Sequence, residues 1–127
     1  MNMESILLSI KKLLGIAEPY EEFDVDIIIH INSALAALEQ LGVGKSGFFI
    51  ASKNEKWSDF LQTDSETGLP NLQMAKSYVY MKVRLLFDPP TSSAVIEAYN
   101  KALAEYEWRA HIAVETPYFG GEAPVLE

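Results

Sequence analysis

Apolar residues recur at helical spacing in four long stretches of this chain, separated by segments where glycine, proline and polar residues gather. Met3, Ile6, Leu7, Ile10, Leu13 and Leu14 form the stripe of an amphipathic helix. Asn2 is placed to cap its start and Gly15 to end it. A second helix is predicted from Asp24 to Leu41, with Ile27, Ile28, Ile31, Ala34, Leu35, Leu38 and Leu41 on one side. Its leading acids suit the positive end of the helix dipole, and Gly42 and Gly44 stop it. A third runs from Asn71 to Phe87. One row holds Leu72, Ala75, Val79, Val83 and Leu86, beside a second row of Met74, Tyr78, Met81 and Leu85. An arc that wide predicts a central helix. Asp88-Pro89-Pro90 ends it, because the residue before a proline is driven out of the α region. The fourth spans Ser92 to about Val114, with Val95, Tyr99, Ala102, Tyr106 and Ala110 as its core row and Leu103 beside them.

Between the second and third helices the period is lost. Phe48-Phe49-Ile50 has strand character, Trp57 to Leu61 could make one helical turn, and Thr63 to Gly68 reads as a polar turn. Long irregular stretches inside compact domains are often functional. The expectation is an all-α fold: a small bundle of four main helices with an irregular loop and short-strand excursion at about 44–68. Residues 1–116 form the helical domain. Residues 117–127, with two prolines and two glycines, form an extended, flexible C-terminal arm.

The length, 127 residues, suits one domain. The absence of cysteine excludes disulfides and thiolate metal sites and fits synthesis in a reducing cytoplasm. The start lacks the basic n-region of a secretory signal, and no apolar run nears the roughly 20 residues of a membrane span. The net charge is −8, and the bases are scattered apart from Lys11-Lys12. Gripping a duplex requires clustered cations, so DNA could slide past this surface without being held.

Candidate chemistry is sparse. Gly42-Val43-Gly44-Lys45-Ser46 resembles the end of a phosphate-binding loop, but Glu39 stands where the first glycine belongs. The segment also follows a helix, where the motif should follow a strand. It reads as a helix stop. His111 has Glu107 and Glu115 four residues to either side, but a zinc site usually recruits more His or Cys, so solvated pairs are expected. His30, among isoleucines, reads as a partly buried histidine. The acids Glu21, Glu22, Asp24 and Asp26 complement a helix dipole and have no partner that would separate their pKa values for acid–base work. No metal or other cofactor is expected, and no catalytic residue is assigned.

Aromatic residues are the better candidates for partner binding. Phe48, Phe49 and Trp57 are either core of the irregular segment or exposed anchors, with core as the default. Tyr118 and Phe119, on the arm, have little of their own chain to pack on and could order on binding.

The order and spacing of several short motifs resemble the head–tail connector (adaptor, head-completion) proteins of tailed bacteriophages and prophages. They are Ile31-Asn32-Ser33-Ala34-Leu35 leading to Leu41-Gly42-Val43-Gly44, then Gly47-Phe48 and Trp57-Ser58-Asp59-Phe60-Leu61. The match continues through Ala75 to Pro90 and ends at Glu107-Trp108-Arg109, covering roughly residues 3 to 115. The resemblance implies a ring, commonly dodecameric, beneath the portal protein at the head–tail junction of a virion, made in the bacterial host cytoplasm. Such a ring extends the DNA channel without reading its sequence and offers a platform to a neck, stopper or tail-completion protein. It implies that the arm from Pro117 reaches toward the portal. Two rivals remain: a small nucleotide- or metal-binding enzyme module built on Gly44-Lys45-Ser46 or His111, and a regulatory protein that forms a small stoichiometric complex.

Overall fold

The computed structural model describes residues 4–61 and 69–115, with side chains at all of these except 69–71 and 111–115. Five helices follow in order: α1 (Ile6–Leu14), α2 (Asp24–Gln40), α3 (Trp57–Leu61), α4 (Leu69–Phe87) and α5 (Ser93–Glu115). The all-α expectation holds, with the single turn at Trp57 as a fifth, short helix. The turn at 63–68 and the arm at 117–127 lie outside the described residues.

Ser5 caps α1, its hydroxyl accepting the Leu8 amide at 3.2 Å, and Asn2 lies outside the described residues. At its other end Gly15, at φ 83°, lets its own amide and that of Ile16 close on the carbonyls of Lys12 and Lys11. The entry to α1 is tied to the entry to α3. The Ile6 amide donates to the Glu55 carbonyl at 3.0 Å, and the Trp57 amide to the Glu4 carbonyl at 3.2 Å. This is an isolated antiparallel bridge between Ser5 and Lys56, and the described residues contain no strand.

Phe48-Phe49-Ile50 therefore departs from its predicted strand character. Among the described residues no strand pairs with it to complete a ladder. The Asn32 side chain does so from α2, its carbonyl accepting the Ile50 amide at 2.7 Å and its amide donating to the Ile50 carbonyl at 2.9 Å.

α4 is the central helix, packing against α1, α2, α3 and α5, most extensively against α2. The buried stripe of α2 is Ile27, Ile31, Ala34, Leu35 and Leu38. It meets a core that includes Ile6 and Ile10 of α1, Trp57 and Phe60 of α3, and Ala75, Tyr78, Val79 and Val83 of α4. Each large apolar side chain removed from water contributes about 1.5–3 kcal/mol. The predicted rows fail at one end of the bundle. Leu86 is 59% exposed and Val95 is 40% exposed. Where α4 ends, Phe87 meets Phe23 edge-on at 5.3 Å. α5 buries Leu103 and Ala110 and half-buries Tyr99, Ala102 and Tyr106. Among the described residues no helix is long and apolar enough to cross a membrane.

Candidate functional site

The glycine-rich stretch after α2 is occupied with holding the fold. Gly44 has φ +84°, and a side chain there would collide with the Phe60 ring. The Lys45 amide donates to the Phe60 carbonyl at 2.7 Å, and the Val43 amide to the Leu38 carbonyl at 2.9 Å. The Ser46 hydroxyl donates to Glu39 Oε2 at 2.9 Å. A phosphate cradle needs amides converging on open space, whereas two of these point into the chain. The segment stops α2 and seats α3.

Of the aromatic candidates, Trp57 is corrected from possible surface anchor to core: it has no exposed surface. Its indole Nε1 donates to the Ser9 hydroxyl at 2.8 Å, which in turn donates to the Ile6 carbonyl at 3.0 Å. Phe48 is half-buried against Phe60, with ring centroids 5.4 Å apart. Phe49 is 66% exposed. It is presented to solvent by a backbone that Asn32 fixes one residue later. Tyr118 and Phe119 lie outside the described residues.

One acid of the 21–26 cluster, Asp24 at the start of α2, has a partner that the sequence reading missed. Lys11 is 1% exposed, and its ammonium meets Asp24 Oδ1 at 2.9 Å, the Glu18 carbonyl at 3.0 Å and the Tyr20 carbonyl at 2.6 Å. A buried ammonium survives only when it is hydrogen-bonded and its charge is matched; the two carbonyls accept from it, the Asp24 carboxylate balances its charge, and together they fold the 16–23 connection back over α1. The signal was present: Lys11 is four residues after Leu7, on the apolar stripe. Glu21, Glu22 and Asp26 remain exposed.

Between α4 and α5 the polar groups are structural as well. The Tyr78 hydroxyl donates to Glu107 Oε2 at 2.8 Å. Burial pushes the Tyr78 phenol well above its ordinary range, and the Glu107 carboxylate adds to the rise. Glu107, considered above beside His111, is thus engaged elsewhere, and the His111 and Glu115 side chains lie outside those described. The Tyr99 hydroxyl donates to that of Tyr80 at 3.4 Å, a bond that raises the Tyr99 phenol, with partial burial second. Arg84 reaches the Tyr80 hydroxyl at 3.0 Å and the Asp88 carbonyl at 2.7 Å. His30 is half-buried. No three His, Cys, Asp or Glu side chains among the described residues are grouped to hold a metal ion.

What the surface offers instead is apolar area. At one end of the bundle Tyr20 packs edge-on against Phe23 at 5.6 Å, and Phe23 against Phe87; Leu86 and Val95 are exposed where α4 ends and α5 begins. Val25 and Ile29, one turn apart on α2, are 70% and 59% exposed. Apolar groups gathered on a surface mark sites of protein contact. Comparison with curated proteins and with solved structures finds no match. A family model described as phage connector protein matches residues 6–117, nearly the whole helical domain, and the chain belongs to that family.

Proposed function

We propose that this chain is a structural head–tail connector: a subunit of a ring that sits beneath the portal, extends the DNA channel and joins the head to a neck or tail-completion protein. Family membership makes it a virion component that associates with other virion components. The match over residues 6–117 is the observation that carries the reading. Three physical features support the finer part. Buried polar groups such as Lys11 and Tyr78 are engaged in holding helices together. Exposed apolar side chains occur on several elements, as a subunit with neighbours on different sides requires. A net charge of −8 per copy repels a phosphate backbone and favours free passage of DNA.

In this reading the protein performs no chemistry of its own. Residues 1–116 act as the ring-forming unit, and the arm at 117–127, with Tyr118 and Phe119, reaches the portal. Co-assembly with the portal protein, viewed by electron microscopy, tests it. A ring continuous with the portal channel is the expected image. A small closed complex with another soluble protein, or thermal stabilisation by nucleotide with Mg²⁺ or Zn²⁺, would replace it with one of the rival readings.

A further inference from the structure

α5 rests mainly on α4, and the side turned away from it is exposed from Ala94 to Arg109. Down the middle of that side run Ala94, Ala98, Lys101, Glu105 and Trp108, at alternating four- and three-residue spacing, with Ala104 beside them. Such a row is the seam by which one helix packs along another. The exposed charges of this face are Glu97, Lys101, Glu105 and Arg109, which alternate in sign; Glu107, on the flank, is turned to Tyr78. Arg109 meets Glu105 at 2.6 Å within the helix, as charges on a solvated face do. Solvation does not account for the rest of the stripe. Trp108 is 62% exposed. About three turns before it, Ala94 and Ala98 leave a shallow hollow that Glu97, Asn100 and Lys101 also line.

We propose that α5 is a self-recognition surface: two copies of the chain pair through this seam, antiparallel, about a two-fold axis at the level of Leu103. In that register Trp108 of each copy lies in the hollow at Ala98 of the other, and Lys101 of each faces Glu105 of the other, because both pairs are centred on residue 103. A parallel pair in register would set Lys101 on Lys101 and Glu105 on Glu105, and like charges exclude that arrangement. The two-fold contact makes each favourable pairing twice. Alanines let the two backbones approach closely, with Ala104 meeting Ala104 near the axis, and a tryptophan seated among small residues is a typical anchor. The pairing goes beyond the connector reading. A two-fold pair closes on itself with its copies pointing in opposite directions, so it is the form of the free subunit and has to open before a one-way ring assembles.

The chain contains no cysteine, so engineered thiols report cleanly. On oxidation, Ala104→Cys is expected to cross-link to its own kind on the order of tenfold faster than Ala36→Cys, at an exposed alanine of α2. Equal rates overturn the pairing. Sedimentation of the wild-type protein should show a dimer. Its dissociation constant should rise on the order of tenfold with Lys101→Glu or with Glu105→Lys, each of which sets like charges across the seam twice, and fall back in the double swap Lys101→Glu/Glu105→Lys. The swap worsens the charge spacing within α5 itself, so rescue reports the contact between copies. A wild-type protein still monomeric at about 1 mM, or a double swap no better than the single variants, overturns the proposal. So does an Ala104→Cys/Phe119→Cys chain that closes its disulfide within one molecule, because the arm then covers the seam. Rings seen under the portal by a protein that never dimerises refute this contact and leave the connector reading standing. A dimer that never joins a portal does the reverse.

Discussion

Trp57 and Ser9 are 48 residues apart in sequence and share a buried 2.8 Å hydrogen bond. That bond joins the short helix of the irregular segment to the first helix of the bundle, beside the backbone bridge at Ser5 and Lys56. Removing the hydroxyl leaves an indole N–H buried without an acceptor. Ser9→Ala should therefore cost about 1–3 kcal/mol, far more than a Ser→Ala change on an exposed helix face. Combined with Trp57→Phe in a double-mutant cycle, urea unfolding should return a coupling of about 0.5–3 kcal/mol. Additive losses would mean that the two groups contribute independently.

Gly44→Ala should destabilise by about 2–4 kcal/mol, from strain at φ +84° together with collision of the new methyl with Phe60. Lys45→Ala, next in the chain and exposed, should stay within about 0.5 kcal/mol. Thermal melts of the two variants separate a structural glycine from a ligand-binding one, because the phosphate-loop reading predicts the larger functional effect at the lysine.

Lys11→Met should lower stability toward the lower end of the roughly 3–5 kcal/mol seen when one member of a buried pair is removed. The moderation follows from Asp24, whose side chain keeps 22% exposure and can be rehydrated in part. Adding Asp24→Asn to that variant should recover some of the loss in denaturant titrations.

Stability should vary with pH at both extremes. Partial burial pushes the Glu55 carboxyl up, but the amides of Ala51, Glu55 itself and Ser52, with the Ser52 hydroxyl, outweigh it and hold the group below its usual 4.5. A depressed acid stabilises above its unfolded value, and that contribution disappears as pH falls through the lower folded value. Glu55→Gln should therefore flatten the acid limb. Tyr78 acts at the other end. Its raised phenol gives full stability below the ordinary 10.0 and loses it as pH climbs beyond that. Tyr78→Phe should soften the alkaline limb, while costing about 1.5–3 kcal/mol near neutrality through the lost bond to Glu107.

Leu86→Ala should change stability by less than about 0.5 kcal/mol, against about 2–5 kcal/mol for Leu35→Ala on the buried stripe of α2. Thermal unfolding of the pair measures how far the core extends toward the exposed end of the bundle.

Helices were legible wherever a long apolar row faced the core. α2 and most of α4 appear almost as their spacing predicts, because a 3.6-residue period reports burial directly. Leu86 shows the limit: it continues the row on the helical wheel and is nevertheless exposed. The irregular segment was harder. Its order comes from Asn32, Glu55 and Trp57 reaching across tens of residues or turning back on the backbone, and no local period encodes such pairs. Lys11 lay between the two cases, since a charge inside an apolar stripe announces a buried partner without saying which. The exposed candidate Phe49 was legible as an aromatic in a loop. That Trp57, eight residues on, is core could be settled only by the packing.

Asn32 has taken over for Ile50 the role that an adjoining strand plays elsewhere, offering one acceptor and one donor from a single side chain. The placement of the loop at this point is thus encoded in the rigid helix below it. Substitutions and small changes of length further along the loop can accumulate while this anchor keeps its aromatic tip in register. A surface built that way can be retuned to a new counterpart over evolutionary time at little risk to folding.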